Sequence, residues 1–207
     1  MNLVFDFAGV LFAWDPRALL QRLLPQQAPD ETSARTLAAD FFQAYEGDWS
    51  EFDRGTLSAD DLAPRISRRT GLAVADVRRV IDAVPAEFEP MRPMLALLQR
   101  LRERGHRLFY LSNMPAPYAM LLEAEHAFVH DFEAGVFSCR VHLIKPEPAI
   151  FAHALKSFGI GAHDALFIDD MPANTRAARA AGWQAVDFVS AAQCEADFAR
   201  LGLFAAV

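Results

Sequence analysis

Asp6 ends a short apolar run, Leu3-Val4-Phe5, and is followed by Phe7-Ala8-Gly9. A carboxylate carried by a strand's carboxyl end into a glycine turn is how an α/β protein presents a nucleophile to an open crevice. Three more polar groups occupy comparable places. Ser112-Asn113 closes Phe109-Tyr110-Leu111, and Lys145-Pro146 follows Leu143-Ile144. Asp169-Asp170 closes Leu166-Phe167-Ile168, with Asn174 one turn into the next helix. The carboxyl ends of parallel strands share one side of a sheet, so these groups are expected in a single crevice.

Their types suit phosphoryl transfer. A carboxylate attacking a phosphate ester brings two anions together, which is costly unless cations intervene. A Mg²⁺ held by Asp6 and Asp170 would neutralise that charge and orient the phosphoryl group. Lys145 would add positive charge, and Ser112 with adjacent backbone N–H groups would hold phosphoryl oxygens. The first step would leave an aspartyl-phosphate on Asp6 for later hydrolysis. Asn113 has two readings, orienting substrate or hydrogen-bonding the loop backbone. Asp169 also has two, supporting the metal's ligands or anchoring Lys145, and the first is preferred.

The elements that must position these groups are legible as an alternation. Runs at 3–7, 107–111, 135–139, 165–168 and 184–188 read as short buried strands. Helical patterns at 94–104, 148–158 and 174–181 lie between the later ones, each followed by a glycine stop at Gly105, Gly159 or Gly182. Such alternation predicts an α/β fold, a Rossmann-like, doubly wound parallel sheet. The stretch from Asp15 to Phe88 is helical in pattern throughout. The expected organisation is therefore a core of 1–14 and 89–207 with an inserted α-helical cap of 15–88, a lid that excludes water and selects substrate.

Composition narrows the class. The 207 residues are 53% apolar, ample for a packed core, and the net charge of −7 argues against a nucleic-acid surface. Arg65, Arg68 and Arg69 read as a solvated helical face. Cys139 and Cys194 have neither metal nor disulfide spacing. With no signal-like N-terminus and no membrane-length apolar run, the expectation is a soluble, cytoplasmic protein without a membrane partner.

Taken in order, Asp6, Ser112, Lys145 and Asp170 with Asn174 resemble the four motifs of the haloacid dehalogenase superfamily, in its helical-cap branch. The layout is similar to bacterial sugar-phosphate phosphatases of the α-glucose-1-phosphate phosphatase type. Ala8, the Ser112-Asn113 pair and the Asp169-Asp170-x-x-x-Asn174 ending carry that similarity. The resemblance implies a Mg²⁺-dependent hydrolase of a small phosphorylated metabolite. It implies Asp6 as nucleophile, with Asp170 and the backbone carbonyl of Ala8 as further metal ligands. Asn174 then stands where an acidic residue often binds metal-bound water.

Position 8 is the departure. Most phosphatases of the superfamily carry there an Asp that protonates the leaving alcohol, a contribution of ~10²–10⁴-fold. Ala8 cannot do this, which turns the expectation toward good leaving groups such as a sugar 1-phosphate. Asp15 is the nearest acid, but Asp before Pro usually caps a helix. Two other readings remain at this point. One is a metal-independent 2-haloacid dehalogenase using Asp6. The other is a non-catalytic phosphate-binding or interaction module. The adjacent acids Asp169 and Asp170 favour a metal and hence phosphoryl transfer.

Overall fold

The computed structural model describes residues 1–204. Its strands are β1 (Asn2–Phe5), β2 (Arg107–Ser112), β3 (Ala134–Phe137), β4 (Ala165–Asp169) and β5 (Gln184–Asp187). They form one sheet in the order β3-β2-β1-β4-β5, parallel throughout, as the alternation predicts. β1 is central, with Phe5 opposite Tyr110 on one side and Ile168 on the other. Strand ends differ from expectation by a residue or two for local reasons. β1 stops at Phe5 because the Phe7 carbonyl accepts from the N–H groups of Val10, Leu11 and Phe12, which turns the chain back.

The helices are α1 (Pro16–Leu23), α2 (Glu31–Phe42), α3 (Gly47–Arg54), α4 (Ala59–Thr70), α5 (Val74–Ala83) and α6 (Arg92–Glu103). After β2 come α7 (Ala116–Glu125), α8 (Ser138–Val141), α9 (Pro148–Phe158), α10 (Pro172–Ala180) and α11 (Ala191–Arg200). Among the described residues none is long and apolar enough to cross a membrane. The basic face of α4 is tied down, since Arg65 and Arg69 both pair with Asp48.

Strand side chains alternate between two apolar clusters, because successive residues point to opposite faces. Leu3, Phe5, Leu108, Tyr110, Leu166 and Ile168 enter one; Val4, Phe109, Leu111, Phe167 and α9's Phe151 form the other. Burial on both faces explains why the strands read as continuous apolar runs. The helical segment after β1 joins the first cluster through Phe41, Phe42, Trp49, Phe52 and Ile66. Phe52 meets α7's Tyr118 edge-on at 5.5 Å, and the Tyr118 hydroxyl donates to the Ile81 carbonyl of α5 at 2.7 Å.

Gly135 shows how tightly this face is filled. A Cβ there would lie 2.0 Å from the Tyr110 ring. That ring in turn packs Phe7, Phe132 and Phe137 with centroids 4.7, 5.5 and 4.8 Å away. Gly135→Ala is expected to destabilise the protein by about 1–3 kcal/mol through overpacking, measured as a lower urea midpoint at unchanged slope.

Candidate active site

The Asp6 N–H donates to the Ile168 carbonyl at 2.9 Å, which fixes the residue at the end of β1 against β4. Asp6 Oδ1 accepts from the Phe7 N–H at 2.7 Å. The loop that follows needs Gly9 twice over. Its φ is +84°, and a Cβ would stand 2.4 Å from Asp170 Oδ2. The glycine therefore lets the loop after β1 close against the acid beyond β4.

Lys145 joins the two halves. Its Nζ lies 2.9 Å from Asp6 Oδ2 and 2.6 Å from Asp169 Oδ2, and the residue is only 3% exposed. Asp169 is saturated: besides Lys145 it accepts from the Met171 N–H at 2.8 Å and from Asn174 Nδ2 at 3.0 and 3.1 Å. Of the two roles open to Asp169 from sequence, the bond to Lys145 fits the anchoring one. Asn113 also serves this loop. Its Nδ2 donates to the Lys145 carbonyl at 2.9 Å and its Oδ1 accepts from the Lys145 N–H at 2.8 Å, which is the backbone reading.

Electrostatics follow from one cation among several acids. Burial pushes the Asp6 carboxyl up to about 7, against the pull of Lys145, and repulsion from Asp169 and Asp170 adds to the rise. Burial raises Asp170 to about 6, helped by Asp169. Burial alone would lower Lys145, but Asp169 and Asp6 hold it above its ordinary range. Carboxylate oxygens of Asp6, Asp169 and Asp170 lie within 4.8 Å of one another. An uncompensated cluster of hard oxygen donors is what a divalent cation such as Mg²⁺ suits. With Asp169 already saturated, Asp6 and Asp170 have the coordinating capacity to spare.

A cavity opens over this cluster. Asp6, Ala8, Asn113, Lys145, Asp170 and Asn174 line its floor. Ser112 ends β2, buried, and is not among the lining residues. The walls come largely from the helical segment and α7: Trp14, Tyr45, Trp49, Val84, Phe88 and Tyr118. Trp49 lines the cavity while packing Phe42 at 4.6 Å. Arg54 instead pairs with Glu147 at 2.6 Å. Asp15 caps α1, accepting from the Arg17 and Ala18 N–H groups, away from the cavity.

Sequence reasoning passed over Asp53, which lines the same cavity and is buried. Its signal was present in the chain: Trp49, Phe52 and Asp53 are spaced to share the buried stripe of α3, and an acid in such a stripe is unusual.

Fold and site together define a parallel α/β hydrolase with an acidic, lysine-braced crevice at the switch point of its sheet. The family model of haloacid dehalogenase-like hydrolases matches residues 1–182, and the chain belongs to that family. It is 27% identical over 180 residues to the sesquiterpene phosphatase astK of Aspergillus oryzae, covering 86% of this chain and 85% of that protein. To a phosphoglycolate phosphatase of Mannheimia succiniciproducens it is 27% identical over 172 residues, 82% of this chain and 73% of the relative. Among solved structures it resembles the family enzyme bt-2542 of Bacteroides thetaiotaomicron, crystallised with magnesium and inorganic phosphate. That likeness has a TM-score of 0.68 at 23% identity, over 89% of this chain and 92% of the other.

The raised carboxyls have a consequence for stability. Between their ordinary value of 3.8 and the values of about 7 and about 6, the folded protein holds protons that the unfolded chain has released. Their contribution to stability therefore falls as pH rises through that window. Surface carboxyls such as Glu147 and Asp187, held low chiefly by hydrogen bonds from Arg54 and Thr175, act in the opposite sense. The readout is thus a difference. Without divalent cation, Asp170→Asn is expected to gain melting temperature relative to the native chain as pH rises from about 4 to about 7. A constant difference across that range would refute this.

Proposed function

We propose that the chain is a Mg²⁺-dependent phosphomonoesterase that acts through an aspartyl-phosphate on Asp6. The observation carrying this reading is the Asp6–Lys145–Asp169 bridge beside Asp170 on the floor of a cavity. Asp6 Oδ2 is the attacking atom and Lys145 draws charge from the phosphoryl oxygens. Asp169, with Asn174 behind it, orients Lys145, while Asn113 fixes the loop. Ser112 and neighbouring N–H groups at the end of β2 hold the phosphoryl group. Asp6, Asp170 and the Ala8 carbonyl would hold the Mg²⁺, which supplies Lewis-acid stabilisation of phosphoryl charge. The helical segment acts as the cap, closing the crevice and shaping the substrate site.

The substrate class is supported by the cavity wall. Its side-chain donors are largely spent internally: Trp14 Nε1 donates to the Tyr45 hydroxyl at 2.6 Å, and Tyr118 donates to Ile81. Apart from the carboxyls of Glu46 and Asp53, the wall would set a sugar's hydroxyls against aromatic rings, a poor exchange for water. A phosphate ester of an apolar alcohol would instead bury its tail. This moves the reading away from the sugar 1-phosphate that Ala8 alone suggests, and the name of the sesquiterpene phosphatase relative supports the same direction.

Asp6→Asn is expected to lower Mg²⁺-dependent turnover by about 10³-fold or more without loss of fold. Substantial residual activity, or chelator-resistant turnover of 2-haloacids by the native chain, would overturn the mechanism. For the substrate class, kcat/KM should climb along a series of linear alkyl phosphates. The ceiling is about fourfold per buried methylene, from ~0.8 kcal/mol each. Glucose 1-phosphate should fall below the longer members; a flat series led by the sugar would refute the assignment.

A further inference from the structure

The proposed apolar alcohol is a poor leaving group, and Ala8 offers it no proton. A donor must therefore come from elsewhere in the cavity, and the described residues contain a carboxyl placed for it. Asp53 lies on α3, is 5% exposed, and lines the same cavity as Asp6. Among the described residues no group hydrogen-bonds its carboxyl, although its neighbour Arg54 has three partners. A buried acid without a partner is costly, and such a group facing a cavity points to a ligand.

Its position is held from the backbone rather than through the side chain. The Ser138 hydroxyl at the start of α8 donates to the Asp53 carbonyl at 2.6 Å and accepts from the Met114 N–H at 2.8 Å. Arg54 donates to the His142 carbonyl and to Glu147, and His142 Nδ1 meets the Arg54 carbonyl at 3.0 Å. Gly55 then lets α3 end against α8, where a Cβ would lie 2.8 Å from the Cys139 carbonyl. These contacts tie the end of α3 to α8 and the segment after it, with Ser138 also reaching Met114 beyond β2, and none of them engages the carboxyl. Burial, with repulsion from Asp6, raises this carboxyl well above its ordinary range against the pull of Lys145. The direction of that shift favours the protonated form that a proton donor needs.

We propose that Asp53 is the general acid, and then the general base, of the hydrolysis, doing from the helical segment what position 8 cannot do from the loop after β1. The assignment rests on the phosphomonoesterase reading above. In the first step an Asp6 oxygen bonds to phosphorus and the ester P–O bond breaks, its electron pair going to the alkoxide. Asp53 gives its proton to that oxygen, releasing the alcohol and leaving a carboxylate. In the second step water attacks the aspartyl-phosphate. Its oxygen bonds to phosphorus, Asp53 takes one proton, and Asp6 leaves as carboxylate with hydrogen phosphate. Both carboxyls end as they began.

The test separates a proton donor from a structural residue by leaving group. p-Nitrophenolate departs without a proton; an alkoxide does not. With Mg²⁺, Asp53→Asn should lose ~10²–10⁴-fold in kcat/KM on butyl phosphate and far less on p-nitrophenyl phosphate. Asp53→Glu should recover part of the butyl rate. Equal losses on both esters, or none on either, would overturn the assignment. Should Asp53→Asn not fold, the native pH profiles decide. The butyl ester should lose kcat/KM with rising pH along a limb that the nitrophenyl ester lacks. Identical profiles would overturn the proposal. The charged and titratable groups facing Asp53 are Asp6, Lys145, Tyr45, Tyr118 and Cys139, and all face it with either ester. If the native chain turned over neither ester, or Asp6→Asn turned over both, the phosphatase reading itself would fall.

Discussion

A single buried ammonium, shared between two carboxylates, organises this molecule. Lys145 lies between Asp6 at the end of β1 and Asp169 at the end of β4, within hydrogen-bonding distance of both. Removing the lysine would leave acids uncompensated in the interior, at a cost of several kcal/mol, whereas removing one acid still leaves Lys145 a partner. The neighbouring arrangements depend on this bridge. The Asn113 pairing holds the lysine's backbone, Asn174 shares Asp169, and Gly9 admits Asp170 alongside. The site is an electrostatic construction first, with the sheet as the frame that brings its parts together.

Much of that frame was legible in the chain. Short apolar runs ending in polar residues gave five strands in the right places, since a strand buried on both faces leaves an unmistakable composition. The convergence of Asp6, Lys145 and Asp170 followed from parallel topology alone. What the chain did not disclose was which oxygen bonds which donor. Asp169 was open to two roles, and its three donor groups, Lys145, Met171 and Asn174, are visible only in the fold. Partner choice depends on side-chain directions that motif spacing does not carry.

The helical segment was legible as helix and illegible as surface. Its aromatic content implied a packed interior without telling which rings would face the crevice. Trp49 does both, lining the cavity while meeting Phe42 edge-on. Arg54 turns instead to Glu147. Asp53 sits beside it and was overlooked because acids in amphipathic helices normally face water. Only the register of α3 against α8 turns it inward.

The union of the two apolar territories has a consequence for how the molecule comes apart and how it can be rebuilt. Phe41, Phe42, Trp49 and Phe52 belong to the cluster that contains Phe5, Phe7 and Tyr110. The helical segment is therefore not a detachable ornament with an interior of its own. Swinging it away would bare aromatic surface on both sides, so the two parts should unfold in concert. Recombination with a relative faces the same constraint. A graft of foreign helices would inherit a mismatched seam, and the rings on both sides would have to change together.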